Sequence, residues 1–196
     1  PRDLHSFPTR RSSDLKTMTE ISGNMNWPKT PACYEWLSLD RRGNWRLQGE
    51  RVTHRGLIDF LNKQYASDES GRWFVQNGPQ RVFVELACTP WVFRRQEESF
   101  VAHTGEPVGK LIAIYLDAEG CILLETGLGI GLLDDRDLPA FIEACKTSSP
   151  AITPEDAFAG LMSGQATDVF WNDLRLQAIT TAELAQRFGF IPNPSP

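Results

Sequence analysis

Five side chains in this sequence are of types that bind or transform a small polar molecule: His54, Arg55, Arg81, Glu85 and Trp91. His54 and Arg55 follow Thr53, whose hydroxyl suits the cap of a helix starting there. Free N–H groups at a helix start favour a carboxylate or phosphate, and a solvated first turn is the plainer reading. Arg81, Phe83 and Glu85 alternate with Val82, Val84 and Leu86, so strand pleating puts the two opposite charges on one face. Facing a cleft, they form a polar pair inside it; facing outward, they form a surface ion pair worth little. Trp91, with Trp73 and Phe93, offers flat rings that stack on a ligand or fill a core.

Catalytic chemistry is less well supported. Glu85 with His54 or His103 is the acid–base combination a small hydrolase would use, and it requires hydrogen-bond reach, directly or through one water. His103 has no Ser, Cys or Asp at a spacing that implies a triad, and no GxSxG elbow occurs. Gly127-Leu128-Gly129-Ile130-Gly131 leads into Leu132-Leu133 and then Asp134-Asp135, which repel phosphate, so it reads as a kinked strand rather than a nucleotide loop. Cys33, Cys88, Cys121 and Cys145 form no CxxC pair, and with few histidines no metal site is assigned. Cys121 and Cys145 sit in apolar patterns as small core residues, which suits a reducing cytoplasm.

The formal charge is −5, and it becomes −6 without the three Arg and two Asp of residues 1–15. That balance offers little to nucleic acid, and Arg41, Arg42, Arg46, Arg51 and Arg55 read as a solvated hairpin rim. No apolar run approaches the roughly 18 residues that span a bilayer, so no membrane partner is expected.

The elements that position these residues repeat. Leu39-Asp40-x-x-Gly43, a short strand to Gln48 and a helix to about Tyr65, carrying Leu57, Phe60, Leu61 and Tyr65, come first. Leu116-Asp117-x-x-Gly120, a strand to Glu125 and a helix from Asp134 through about Lys146, carrying Leu138, Phe141, Ile142 and Cys145, come second. Asp bonds its own turn and Gly takes positive φ. Hairpins are expected around Asn77-Gly78-Pro79-Gln80, around Arg94 to Glu98 and around Asn172-Asp173. Leu111 to Leu116, nearly all apolar, reads as a strand buried on both faces. Thr153-Pro154-Glu155 starts one helix, and Thr180 with Glu183 makes a capping box for another.

Asp40-x-x-Gly43-x-Trp45, Gly49-Glu50-Arg51-Val52, Gly71-Arg72-Trp73-Phe74-Val75, Val82-Phe83-Val84-Glu85, Pro90-Trp91 and Thr126-x-x-Gly129 together resemble an uncharacterised bacterial family, the domain of unknown function numbered twelve eighty-five, or a sister family. The resemblance covers roughly residues 34–145 and implies an α+β fold built from repeats, with ligand recognition in signalling as its suggested role. The sequence departs from it at Asn77-Gly78-Pro79-Gln80, at Cys88-Thr89 and after residue 150.

These observations lead to an α+β protein in which two β-hairpin-plus-helix repeats, with antiparallel sheets, share a core beside a small C-terminal helical and hairpin region. Residues 1–15 resemble translated sequencing adapter, with Met18 as the natural start; 16–33 form a flexible lead-in, 34–107 the first half, 108–190 the second half with its extension, and 191–196 a loose tail. The expected role is a non-catalytic, cytoplasmic ligand-binding or regulatory module. Its site lies at the seam, on His54, Arg55, Arg81, Glu85 and Trp91, and takes a small anion. The first half, richer in polar groups, is the expected host of the site. The alternatives are the hydrolase and a protein-interaction adaptor that exposes an apolar patch at Phe158, Leu161, Phe170 and Trp171.

Overall fold

The computed structural model describes residues 28–165 and 167–196. The expectations for residues 1–15 and for 16–27 lie outside them. The described chain is α+β, mostly sheet with few helices. Strands β1 (Ala32–Leu39), β2 (Trp45–Leu47) and β3 (Glu50–Arg51) make a meander. Helix α1 (Arg55–Gln64) follows, then β4 (Tyr65–Ser67), β5 (Trp73–Asn77) and β6 (Gln80–Leu86). These strands form one sheet in the order β3-β2-β1-β6-β5-β4, with β1 and β6 parallel at its centre.

A hairpin of β7 (Trp91–Gln96) and β8 (Ser99–Ala102) leads to β9 (Leu111–Leu116), β10 (Ile122–Thr126) and β11 (Gly129–Leu133). A 3-10 turn at Asp135–Asp137, helix α2 (Leu138–Glu143) and β12 (Cys145–Thr147) follow. Helix α3 (Pro154–Met162), β13 (Val169–Trp171), β14 (Leu174–Ala178) and α4 (Thr181–Phe188) complete the chain. The second sheet runs β12-β13-β14-β9-β10-β11-β7-β8, and β14 and β9 are parallel. In each sheet, the first strand of the opening meander lies parallel to the last strand delivered after the helix.

One expectation changes here. The sheets are not wholly antiparallel: a helical crossover between two meanders leaves β6 parallel to β1 and β14 parallel to β9, and β7 lies parallel to β11 after a connection made of strands alone. The β7–β8 hairpin belongs to the second sheet, since β7 pairs with β11.

Local chemistry sets the turns. Asp40 Oδ1 accepts the N–H groups of Arg42 (2.9 Å) and Asn44 (2.9 Å). Asp68 Oδ1 does the same for Ser70 and Arg72, at 3.0 Å each, and Asp117 Oδ1 for Glu119 (2.9 Å) and Cys121 (2.8 Å). In each turn a glycine (Gly43, Gly71 or Gly120) takes positive φ and donates back to the aspartate carbonyl. Asp117 is only 3% exposed. Asp117→Ala orphans two N–H groups and is expected to cost ~1–3 kcal/mol, read as a lower urea midpoint. Asp117→Asn keeps the accepting oxygen and is expected to recover part of that loss.

The helix starts follow their caps. Thr153 Oγ1 accepts from Asp156 N (3.2 Å), and Glu183 reaches back to Thr180 N (3.0 Å). For α1 the cap is His54 rather than Thr53, its Nδ1 accepting from Leu57 N at 3.2 Å. Both α1 and α2 stop sooner than their apolar stripes suggest. Tyr65 and Cys145, the last residues of those stripes, begin strands β4 and β12.

The second sheet is buried on both faces. Tyr115, Leu123 and Leu132 join Leu37, Val82, Val84 and α1's Leu57 and Leu61 in one core. Ile114, Ile122 and Leu124 join Phe93, Phe141, Phe158 and Val169 in the other. The C-terminal residues, expected to be loose, are tied down: Ile191 N donates to Gly71 O (2.9 Å), Leu86 N donates to Pro192 O (2.8 Å), and Pro194 is buried.

Candidate functional site

A cleft lies where the two Asp-x-x-Gly turns face each other. It encloses about 540 Å³ and is bounded by Asp40, Arg41 and Arg42 of the first turn and by Glu119, Gly120 and Cys121 of the second. Ala87, Ile122, Leu132, Leu133 and Leu138 supply its apolar floor, and Asp135 completes the rim. The volume is within the range of small-molecule sites, roughly 300–1,000 Å³.

Charge at the rim is distributed unevenly. Arg42 donates to both oxygens of Asp135, at 2.9 and 2.7 Å, so the first turn is strapped to the second half across 93 residues of sequence. Asp40 is spent inside its own turn. Burial works against its charge, but hydrogen bonds from Asn44, Arg42 and Arg46 hold its carboxyl below the ordinary value. Arg41 donates to Cys121 Sγ at 2.7 Å, and its nearest carboxylate oxygen, on Glu119, is 3.8 Å away. Burial, and then the charge of Asp117, raise the Cys121 thiol above its ordinary value, so the acceptor beside Arg41 is a neutral thiol. Burial pushes Cys88 up to about 11.

Asp117, Glu119 and Cys121 place their donor atoms within 4.8 Å of one another. A cation is opposed there. Asp117 Oδ1 already accepts two backbone N–H groups, and the Arg41 guanidinium sits on the sulfur.

The five residues singled out in sequence do not line this cleft. His54 and Arg55 are exposed at the start of α1. Arg81 is exposed on the outer face of the first sheet, its guanidinium 4.7 Å from the Phe74 ring centroid. Glu85 is half-buried on the same strand. Trp91 lies in a ring cluster with Trp73, Tyr65 and His103, at centroid distances of 5.4, 5.7 and 5.7 Å. Trp91 and Arg81 border two separate depressions; His54, Arg55 and Glu85 border neither. Arg41 and Arg42 carried a signal, two cations inside a turn, but their partners lie 80 and 93 residues away.

His103 is set by its surroundings. Its Nδ1 accepts from Val92 N (3.3 Å), its Nε2 is closed off from water, and burial pulls its pKa down to about 3. The neutral imidazole lies edge-on to Trp45 and Tyr65, at 5.5 Å each. The adaptor patch is largely packed: Phe158 is buried, Leu161 and Phe170 are half-buried, and Trp171 stacks on Phe141 at 5.7 Å.

A family model described as "Protein of unknown function (DUF2946)", named DUF2944, matches residues 20–195. The chain belongs to this family. Among curated proteins none matches the DUF2944 chain. Two solved structures are similar to it. One is a DUF1285 family protein from Silicibacter pomeroyi DSS-3, 14% identical, with a TM-score of 0.49, over 78% of the DUF2944 chain and 84% of its own. The other is a DUF1285 family protein from Shewanella baltica OS155, 14% identical, with a TM-score of 0.42, over 55% and 91%. They carry the family name that the landmarks of residues 34–145 resemble. At 14% identity no site residue of the DUF2944 chain is taken from either. Among the described residues, no helix is long and apolar enough to cross a membrane.

Proposed function

We propose that this chain is a non-catalytic small-ligand-binding module of regulatory type, with its site in the cleft between the Asp40–Gly43 and Asp117–Gly120 turns. The observation that carries this reading is an apolar-floored cleft of about 540 Å³ with opposite charges at its mouth, built where the two halves meet. A pocket at such a junction can report on the relative position of its walls, which suits regulation. The matching strand order of the two sheets supports reading them as copies of one unit. Four free cysteines among the described residues fit a reducing cytoplasm.

A hydrolase would need Glu85 with His54 or His103. Both histidines use Nδ1 to accept a backbone N–H, and His103 Nε2 has no access to water. That favours binding over acid–base work.

A thermal-shift screen of small anions, nucleotides and acyl-CoA species tests the proposal. Ala87 is exposed at the cleft wall, so Ala87→Trp fills the space at little cost to the fold. Hits are expected to vanish in Ala87→Trp and to survive Arg81→Ala and Glu85→Ala. The reverse pattern would move the site to the sequence-derived set.

A further inference from the structure

We propose that the cleft takes an amphipathic carboxylate, its head on Arg41 and its hydrocarbon body on the floor formed by Ile122, Leu132, Leu133 and Leu138. This rests on the cleft being the binding site.

The inference follows from which rim charges are already matched. Asp40 accepts from Arg42, Asn44 and Arg46, all within its own hairpin. Asp117 accepts from its own turn and is buried. Neither presents a spare charge to a ligand. Arg42 and Asp135 hold each other through two bonds. What is left is Arg41, whose ion pair with the exposed Glu119 is long, at 3.8 Å, and makes no hydrogen bond.

A guanidinium carries five N–H donors, and a thiol is a weak acceptor. Arg41 therefore lies at an apolar cleft with most of its donors uncommitted within the protein, beside Cys121. Carboxylate is the group a planar guanidinium binds best, through two parallel N–H···O bonds. With Arg42 already engaged by Asp135, one head group is served, so a monocarboxylate suits the rim better than a dianion. The floor beyond it offers no polar side chain, and this selects a hydrocarbon body.

Isothermal titration with three probes sharing one chain tests this: octanoate, 1-octanol and octyltrimethylammonium. Octanoate is expected to bind at least tenfold more tightly than the other two. Arg41→Gln is expected to reduce octanoate to the affinity of octanol while leaving octanol unchanged. Glu119→Gln is expected to strengthen octanoate a few-fold, because it removes the carboxylate nearest the arginine. Ala87→Trp is expected to abolish binding of all probes. Equal binding of octanoate and octanol, or preference for the cation, overturns the carboxylate assignment and leaves the cleft as the site. Binding indifferent to Ala87→Trp, or no binding of any probe, overturns the cleft itself.

Discussion

Gly71→Ala is expected to destabilise this protein by about 3 kcal/mol or more, through a turn far from the cleft. Gly71 adopts φ +80°, where an L side chain costs ~1–2 kcal/mol. Space is the second and larger problem. A Cβ there would lie 2.1 Å from Gly189 O and 3.0 Å from Gly189 C. Both are backbone atoms, which cannot swing away as a side-chain tip can. Gly189 ends α4, and the following Phe190 is in the core at 5% exposure. Gly71 O also accepts from Ile191 N. Relief of the clash therefore requires α4's end, Phe190 and the last strand-like contact to shift together.

Gly78 supplies the comparison. It also has positive φ, +58°, but a Cβ there meets nothing within 4 Å. Gly78→Ala is expected to cost only the conformational term. The difference between the two variants in denaturant midpoint isolates the close approach of the C-terminal segment. If both lose the same amount, α4 is not held against this turn.

The second large effect is on pH. The His103 pKa is pulled to about 3 by burial, from an ordinary value near 6.5. Between those values the unfolded chain binds a proton that the folded chain does not. Stability therefore rises with pH across that window and is lost as pH falls below about 6.5. The limiting slope is ~1.4 kcal/mol per pH unit, so roughly 2–3 kcal/mol goes between pH 7 and 4.5. Asp40, Asp68 and Asp134 have lowered pKa values. Their contributions are present above the ordinary carboxylate range and are lost only as pH falls below about 4. The interval from pH 6.5 to 4.5 thus separates the histidine from the aspartates.

His103→Asn places an amide oxygen where Nδ1 accepts from Val92 N, and it cannot titrate in this range. It is expected to be less stable than the wild type at pH 7, since it leaves the rings of Trp45, Tyr65 and Trp91 underpacked. Its urea midpoint is expected to be nearly flat from pH 7 to 4.5, where that of the wild type falls. A wild-type midpoint that does not change over this interval would show that the imidazole is not kept neutral.

Much of the local structure was legible in the residues. The Asp-x-x-Gly turns at Asp40 and Asp117, the Gly78–Pro79 hairpin, the β7–β8 hairpin and the caps at Thr153 and Thr180 stand where the sequence places them. Asp68–Gly71 forms the same turn without the Leu that precedes Asp40 and Asp117, because the turn bonds come from the aspartate itself. Two helices, α1 and α2, end sooner than apolar periodicity predicts, for one reason. Tyr65 and Cys145 are apolar at helical spacing from the stripes before them, and a strand that starts toward the same core buries that residue too. Periodicity cannot separate the two cases.

The sequence alone determined what depends on neighbours a few residues apart: turn chemistry, caps, strand alternation and the double burial of Leu111 to Leu116. The tertiary structure decided what depends on distant neighbours. It strapped Arg42 to Asp135, left Arg41 against a thiol 80 residues on, and enclosed His103 in rings. A turn motif fixes its own backbone through hydrogen bonds it carries within itself. Which side chains its rim will meet is set by the packing of two sheets, and the cleft exists only because that packing brings two such turns face to face.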